Sequence, residues 1–252
     1  MSDADLLDAA PPALSAALIC DCDRASRPGA APSSQAPGIA RQVRALLAAE
    51  LDLAAADPQQ RYLIDQQPGL AAAALPALDE AGVRGLRIGL PAGRRMGQQL
   101  RAAQRAADIA APLDWHIELA LAPELVDLTA SEWILTCLPV AVCLSGVAEL
   151  AATRGPQDAE IGFILDLLQM GRTWLKLSGP ALASGGERLQ GFVQTAAALR
   201  PDRIVWGSGV AAVRDGEADR VGGAFAALAR LLPDEALRHA ILVDNPARLY
   251  RF

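Results

Sequence analysis

The chain has 252 residues and a formal net charge of −6, with no block of lysine or arginine, which argues against a nucleic-acid surface or an anionic membrane as its partner. Hydrophobic residues make up 52% of the chain, much of it alanine, and no apolar run reaches the length of about 18 residues that a membrane-crossing helix needs. The start of the chain has no charged segment leading into a clean apolar run, so no signal peptide is expected and the cytoplasm is the expected compartment.

Residues 1–14 are polar and punctuated by proline, and read as a flexible N-terminal tail ahead of a single domain spanning 15–252. Leu18-Ile19-Cys20 begins a buried strand, and 26–38 (SRPGAAPSSQAPG) is a loop by composition. The spacing predicts a helix from Ile39 to about Ala56, a strand at Tyr62-Leu63-Ile64, a helix over Ala71–Ala81 and a strand over Val83–Leu90. Further on come a helix over Met96–Ala110, strands at 115–121 and 139–144, a helix at 158–169, a strand at 173–178, a helix at 187–199 and a strand at 203–208. Asn245-Pro246, after an apolar run, is expected to close the final helical region. Strands that are apolar throughout, separated by helices, imply βαβ units and a parallel sheet, with a barrel as its natural closure.

Four cysteines (Cys20, Cys22, Cys137 and Cys143) lack metal-ligand spacing, and the two histidines, His116 and His239, are too few for a histidine-rich site. Neither a metal nor a cofactor is expected. Core packing in a reducing compartment is the reading for the cysteines, a core histidine for His116 and a surface or capping role for His239.

Two C-terminal segments are distinctive. Arg203-Ile204-Val205-Trp206-Gly207-Ser208-Gly209 is a buried strand ending in a sharp turn, and Leu242-Val243-Asp244-Asn245-Pro246-Ala247-Arg248-Leu249-Tyr250 follows a helical stretch. Together with Trp174-Leu175-Lys176-Leu177-Ser178-Gly179 and Gly82-Val83-Arg84-Gly85-Leu86-Arg87, they resemble the amidohydrolase-related family typified by 2-pyrone-4,6-dicarboxylate lactonase. The resemblance implies an α/β fold, a TIM-like (β/α) barrel of the amidohydrolase type, and hydrolysis of a small carboxylated lactone or ester. Only seven strands emerge from the pattern against the family's eight, so the barrel is expected to have seven or eight, the second being lost or hidden.

The same resemblance implies that most of the family's catalytic positions have been replaced. Its strand-one motif Asp-x-His-x-His reads Asp21-Cys22-Asp23-Arg24-Ala25, with Asp23 and Ala25 at the histidine positions. Alternation then turns Asp21 and Asp23 inward and the cysteines outward. On the fifth strand Ala120 replaces a polar end residue; on the sixth Leu144 stands for a histidine and Val147 for an arginine; after the eighth Gly209 stands for the aspartate and Ala212 for a histidine. Without that aspartate and those histidines, water activation and carbonyl polarisation each lose factors of about 10² to 10⁴. Arg87, Lys176 and Ser178 match the family's substrate-gripping positions, and a guanidinium suits a carboxylate. Arg87 and Lys176 are therefore expected either to hold a small carboxylated ligand or to pair internally with Asp23 and Glu118. The first expectation is a catalytically impaired barrel acting as a binding or structural protein, with a homo-oligomer interface as one role. The second is an active hydrolase using Asp21, Asp23 and Glu118.

Overall fold

The computed structural model describes residues 19–25, 39–53, 57–66, 70–90, 96–122, 128–129, 132–209 and 217–252. The expected tail over 1–14 and the 26–38 loop lie outside the described residues. Eight parallel strands follow one another around a nearly closed barrel, each hydrogen-bonded to the next in chain order. They are β1 (Ile19–Ala25), β2 (Ile39–Leu46), β3 (Gln60–Asp65), β4 (Val83–Leu90), β5 (His116–Leu121), β6 (Val142–Ser145), β7 (Thr173–Leu177) and β8 (Ile204–Trp206). Among the described residues no ladder joins β8 to β1. Side chains close that seam instead: the Asp21 carboxylate accepts the Ser208 backbone N–H at 2.8 Å and its hydroxyl at 2.6 Å.

The second strand corrects the expected helix over 39–56. Ile39, Gln42, Val43 and Leu46 are its buried residues, the one-face spacing of a helix. A strand paired on both sides, with a barrel interior before it and other elements behind it, need not alternate in exposure, so the burial spacing carries no strand signal.

The helices needed below are α1 (Leu75–Glu80), α2 (Met96–Ala110), α3 (Glu132–Cys137), α4 (Val147–Thr153), α5 (Ala159–Gln169), α6 (Ala181–Ser184), α7 (Glu187–Leu199), α8 (Glu217–Leu231), α9 (Glu235–His239) and α10 (Asn245–Tyr250). Asp158 caps α5 by accepting the Glu160 N–H at 2.9 Å, which satisfies an N–H left without an intrahelical partner. Asn245-Pro246 opens α10 where a helix end was expected. The turn before it, Ala240–Asp244, is π-helical, a wider turn that carries the helix past the missing proline N–H. Asn245 Nδ2 also donates to the carbonyls of Pro201 and Ile204, both at 2.7 Å, tying α10 to the start of β8. No helix among the described residues is long and apolar enough to cross a membrane.

Two apolar layers result. Outside the barrel, Ile117 and Leu119, Val142 and Leu144, Leu175 and Leu177, and Trp206 pack against the helices; Trp206 meets Phe225 of α8 edge to face at 6.1 Å. Inside, Cys20, Cys22, Val43, Leu63, Cys143, Trp174 and Val205 form a separate cluster with Leu249 and Tyr250. The expectation for β1 is thus reversed: the cysteines point into the barrel and Asp21 sits on the opposite face.

Candidate functional site

At the carboxyl ends of the strands, where parallel barrels carry their sites, alternation brings Asp65 (β3), Arg87 (β4), Glu118 (β5), Ser145 (β6) and Lys176 (β7) inward. Register places Arg87 beside Asp65 on one side and Glu118 on the other. Lys176 reaches across the barrel, its Nζ 2.7 Å from Glu118 Oε2, and it also donates to the Cys22 carbonyl at 3.2 Å. Ser145 Oγ donates to Glu118 Oε1 at 2.9 Å. Arg87 Nε stands 3.5 Å from Oε1, an ion pair longer than a good hydrogen bond, and its NH1 lies 3.3 Å from Asp65 Oδ1.

Burial grades this network from floor to rim. The side chains of Lys176 and Glu118 are 2% and 1% exposed, whereas those of Arg87 and Asp65 are 35% and 39% exposed. The inner pair is therefore a buried ion pair that neutralises itself, and the outer pair meets solvent. Arg87→Ala is expected to destabilise the fold by only about 1 kcal/mol, in keeping with a solvent-screened pair; urea unfolding tests this, and a loss several times larger would mean that Arg87 is part of the buried core.

Of the residues singled out in the sequence, the structure gathers Arg87, Glu118 and Lys176, with Ser178 buried just beyond β7. Asp21 is buried but engaged with Ser208 at the seam. The backbone of Asp23 and Ala25 lies in β1, their side chains are outside what is described, and Ala212 is outside the described residues. Ala120 is half-buried on the inward face of β5. Leu144 and Val147 belong to the outer layer against the helices, so the inward positions of β6 are Cys143 and Ser145. Asp65 and Ser145 had not been singled out; both are terminal residues of their strands on the inward parity, a signal present in the sequence.

Gly209, at the position matched to the family's aspartate, has φ +66°, and a Cβ there would lie 2.6 Å from the Gly179 nitrogen and 2.7 Å from its Cα. A Cβ at 209 would run into the turn after β7. The donors also do not fit a metal: among the described residues no group of three or more His, Cys, Asp or Glu side chains could hold one, and Glu118 is committed to Lys176 and Ser145.

Below this network His116 is 3% exposed, packs edge to face on Tyr250 at 5.3 Å, and among the described residues has no hydrogen-bond partner on either ring nitrogen. Burial above all, and then the Lys176 charge, lower its pKa to about 3; the Arg84 backbone opposes this slightly without hydrogen-bond geometry. The ring is neutral at physiological pH, as expected of a core histidine.

The Amidohydrolase family profile matches residues 51–252. The chain belongs to the amidohydrolase family. The chain is 33% identical over 149 residues to the 4-sulfomuconolactone hydrolase of Rhizobium radiobacter, covering 55% of the chain and 48% of that protein. It is 28% identical over 193 residues to the 2-pyrone-4,6-dicarboxylate hydrolase of Comamonas testosteroni, covering 71% and 62%. It thus spans about half the length of the first of these relatives and somewhat more of the second. A Pseudomonas putida structure provisionally assigned as a 2-pyrone-4,6-dicarboxylic acid hydrolase superposes with a TM-score of 0.71 at 21% identity, over 93% of this chain and 97% of that one. A further structure, from Agrobacterium tumefaciens, gives 0.70 at 20% identity, over 94% and 96%. At such identities the likeness establishes the barrel alone.

Proposed function

We propose that this amidohydrolase derives from the hydrolases of small carboxylated lactones, has lost most or all of their catalysis, and acts as a binding or structural protein. One observation carries the reading. Glu118, the acid buried at the centre of the described mouth, has both oxygens held by donors, Oε2 by Lys176 at 2.7 Å and Oε1 by Ser145 at 2.9 Å. A general base must also reach the attacking water, and the Glu118 side chain is 1% exposed. The placement of Gly209 against Gly179 supports the same reading, since a side chain at the matched aspartate position would collide with the turn after β7.

Turnover of 4-sulfomuconolactone, of 2-pyrone-4,6-dicarboxylate and of simple lactones and amides by the purified protein is expected to be indistinguishable from buffer. Gly209→Asp should not restore it, and should itself destabilise the fold by about 1–2 kcal/mol from the left-handed backbone alone. A measurable rate that Glu118→Gln abolishes would sink the proposal in favour of a carboxylate-based hydrolase with Arg87 holding the substrate. The solvent exposure of Arg87 favours a carboxylated ligand at the rim, where such a molecule would compete with Asp65.

A further inference from the structure

The opposite end of the barrel, formed by the amino-terminal ends of the strands, holds a cavity of about 310 Å³, at the small end of the range for small-molecule sites. The starts of β5, β6 and β7 and the last helix meet there, and its lining includes His116, Trp174 and Leu249 together with Arg172, Arg248 and Arg251. The three aromatic and aliphatic groups are buried, Arg172 and Arg248 are exposed, and Arg251 is intermediate.

The charges do not cancel. Arg172 has no ion-pair partner among the described residues. Arg248 donates to the neutral Asn245 amide oxygen at 2.9 Å. Arg251 reaches Asp79 at 3.2 Å and stands 4.0 Å from Asp114, whose side chain is 94% exposed. Nearby, Arg61 and Arg84 are held below the ordinary guanidinium range, by burial first and then by neighbouring arginines that include Arg251, with Asp57 and Asp79 acting in the opposite direction. The cavity lining carries three arginines against one acid, Asp114. At the cavity's inner side, His116 has two ring nitrogens, and the adjacent Tyr250 a hydroxyl, with no hydrogen-bond partner among the described residues. Buried polar groups left in that state are uncommon and ask for an occupant.

We propose that this lower cavity binds a small oxyanion, a phosphate or carboxylate on a compact body, with Arg172 and Arg248 gripping the anion. A guanidinium fork suits either anion, and the buried Trp174 and Leu249 give the body an apolar wall. The site is separate from the mouth and does not depend on whether the mouth is catalytic.

Isothermal titration calorimetry on the full chain at fixed ionic strength, with inorganic phosphate in one series and benzoate in another, tests the proposal. At least one probe should bind at a single site, and Arg172→Gln and Arg248→Gln should each weaken it on the order of tenfold, as for loss of one charge-assisted hydrogen bond. Both arginines are exposed, so both variants should fold. Arg101→Gln on α2 removes the same charge elsewhere and should leave binding unchanged. Binding of phosphate alone, or of benzoate alone, identifies the anion. No binding of either probe, binding indifferent to Arg172→Gln and Arg248→Gln, or binding lost instead in Arg87→Gln overturns the proposal.

Discussion

Glu118→Ala is expected to destabilise the protein by roughly 3–5 kcal/mol, because it removes the carboxylate that stands 2.7 Å from the buried Lys176 cation. The Lys176 side chain is 2% exposed, so solvent cannot stand in for the lost carboxylate, and the Cys22 carbonyl that also accepts from it at 3.2 Å carries no charge. Arg87 has Asp65 and solvent to turn to, so the damage falls on the lysine. For a domain of this size about 1 kcal/mol moves the melting temperature by roughly 2–4 °C, which puts the expected drop between about 6 and 20 °C. Replacing both partners, Glu118→Leu with Lys176→Met, should recover most of the loss, since an apolar pair of similar volume carries no desolvation penalty. Urea unfolding of the single and double variants measures both. A single-variant loss below about 1 kcal/mol, or no recovery in the double variant, would mean that water reaches the pair.

Acidification is expected to remove about 3 kcal/mol of stability between pH 7 and pH 4 through His116 alone. Its pKa is about 3 in the fold against an ordinary 6.5. Between those values the unfolded chain binds a proton that the folded chain refuses, so protonation favours unfolding. The contribution is fully present above pH 6.5, declines as pH falls at about 1.4 kcal/mol per unit, and levels off near pH 3. Asp202, whose pKa the Arg200 side chain lowers to about 2, works in a different window, losing its contribution only as pH falls from about 3.8 toward 2. Stability measured from pH 7 to 4 in the wild type and in His116→Phe separates the two. The variant should keep the ring contact with Tyr250 and show a much flatter profile; an unchanged slope would show that His116 is protonated in the fold.

The barrel was legible in the sequence because its helices are amphipathic and its strands apolar: α2 and α7 begin and end where their spacing predicts. β2 was not, since Ile39, Val43 and Leu46 fall at helical spacing in a strand buried on both sides. That absence of alternation also explains the errors of facing. In β1 every described side chain is buried, so Cys20, Asp21 and Cys22 give no exposed residue from which to count inward. On β6 the four residues Val142–Ser145 are all buried, and a histidine position carried over to Leu144 lands one residue from the inward face. Arg87, Glu118 and Lys176 were found because a charge at a strand's carboxyl end stands out from apolar neighbours. Asp65 carries the same mark, but the strand reading stopped at Ile64 and so missed it.

The Asp21 and Ser208 clasp also bears on the order in which the molecule assembles. It joins residues 187 positions apart in the chain, whereas every other strand meets its predecessor in sequence. Loop-closure entropy makes such a contact slow to form until intervening pairings have shortened the path. The sheet therefore grows neighbour by neighbour as an open, curling ribbon with β1 and β8 as its free edges, and it shuts only when a carboxylate on the first strand finds the turn after the last. Until that moment both edges can pair with another chain, so the aspartate of the first strand also guards the unfinished sheet against association.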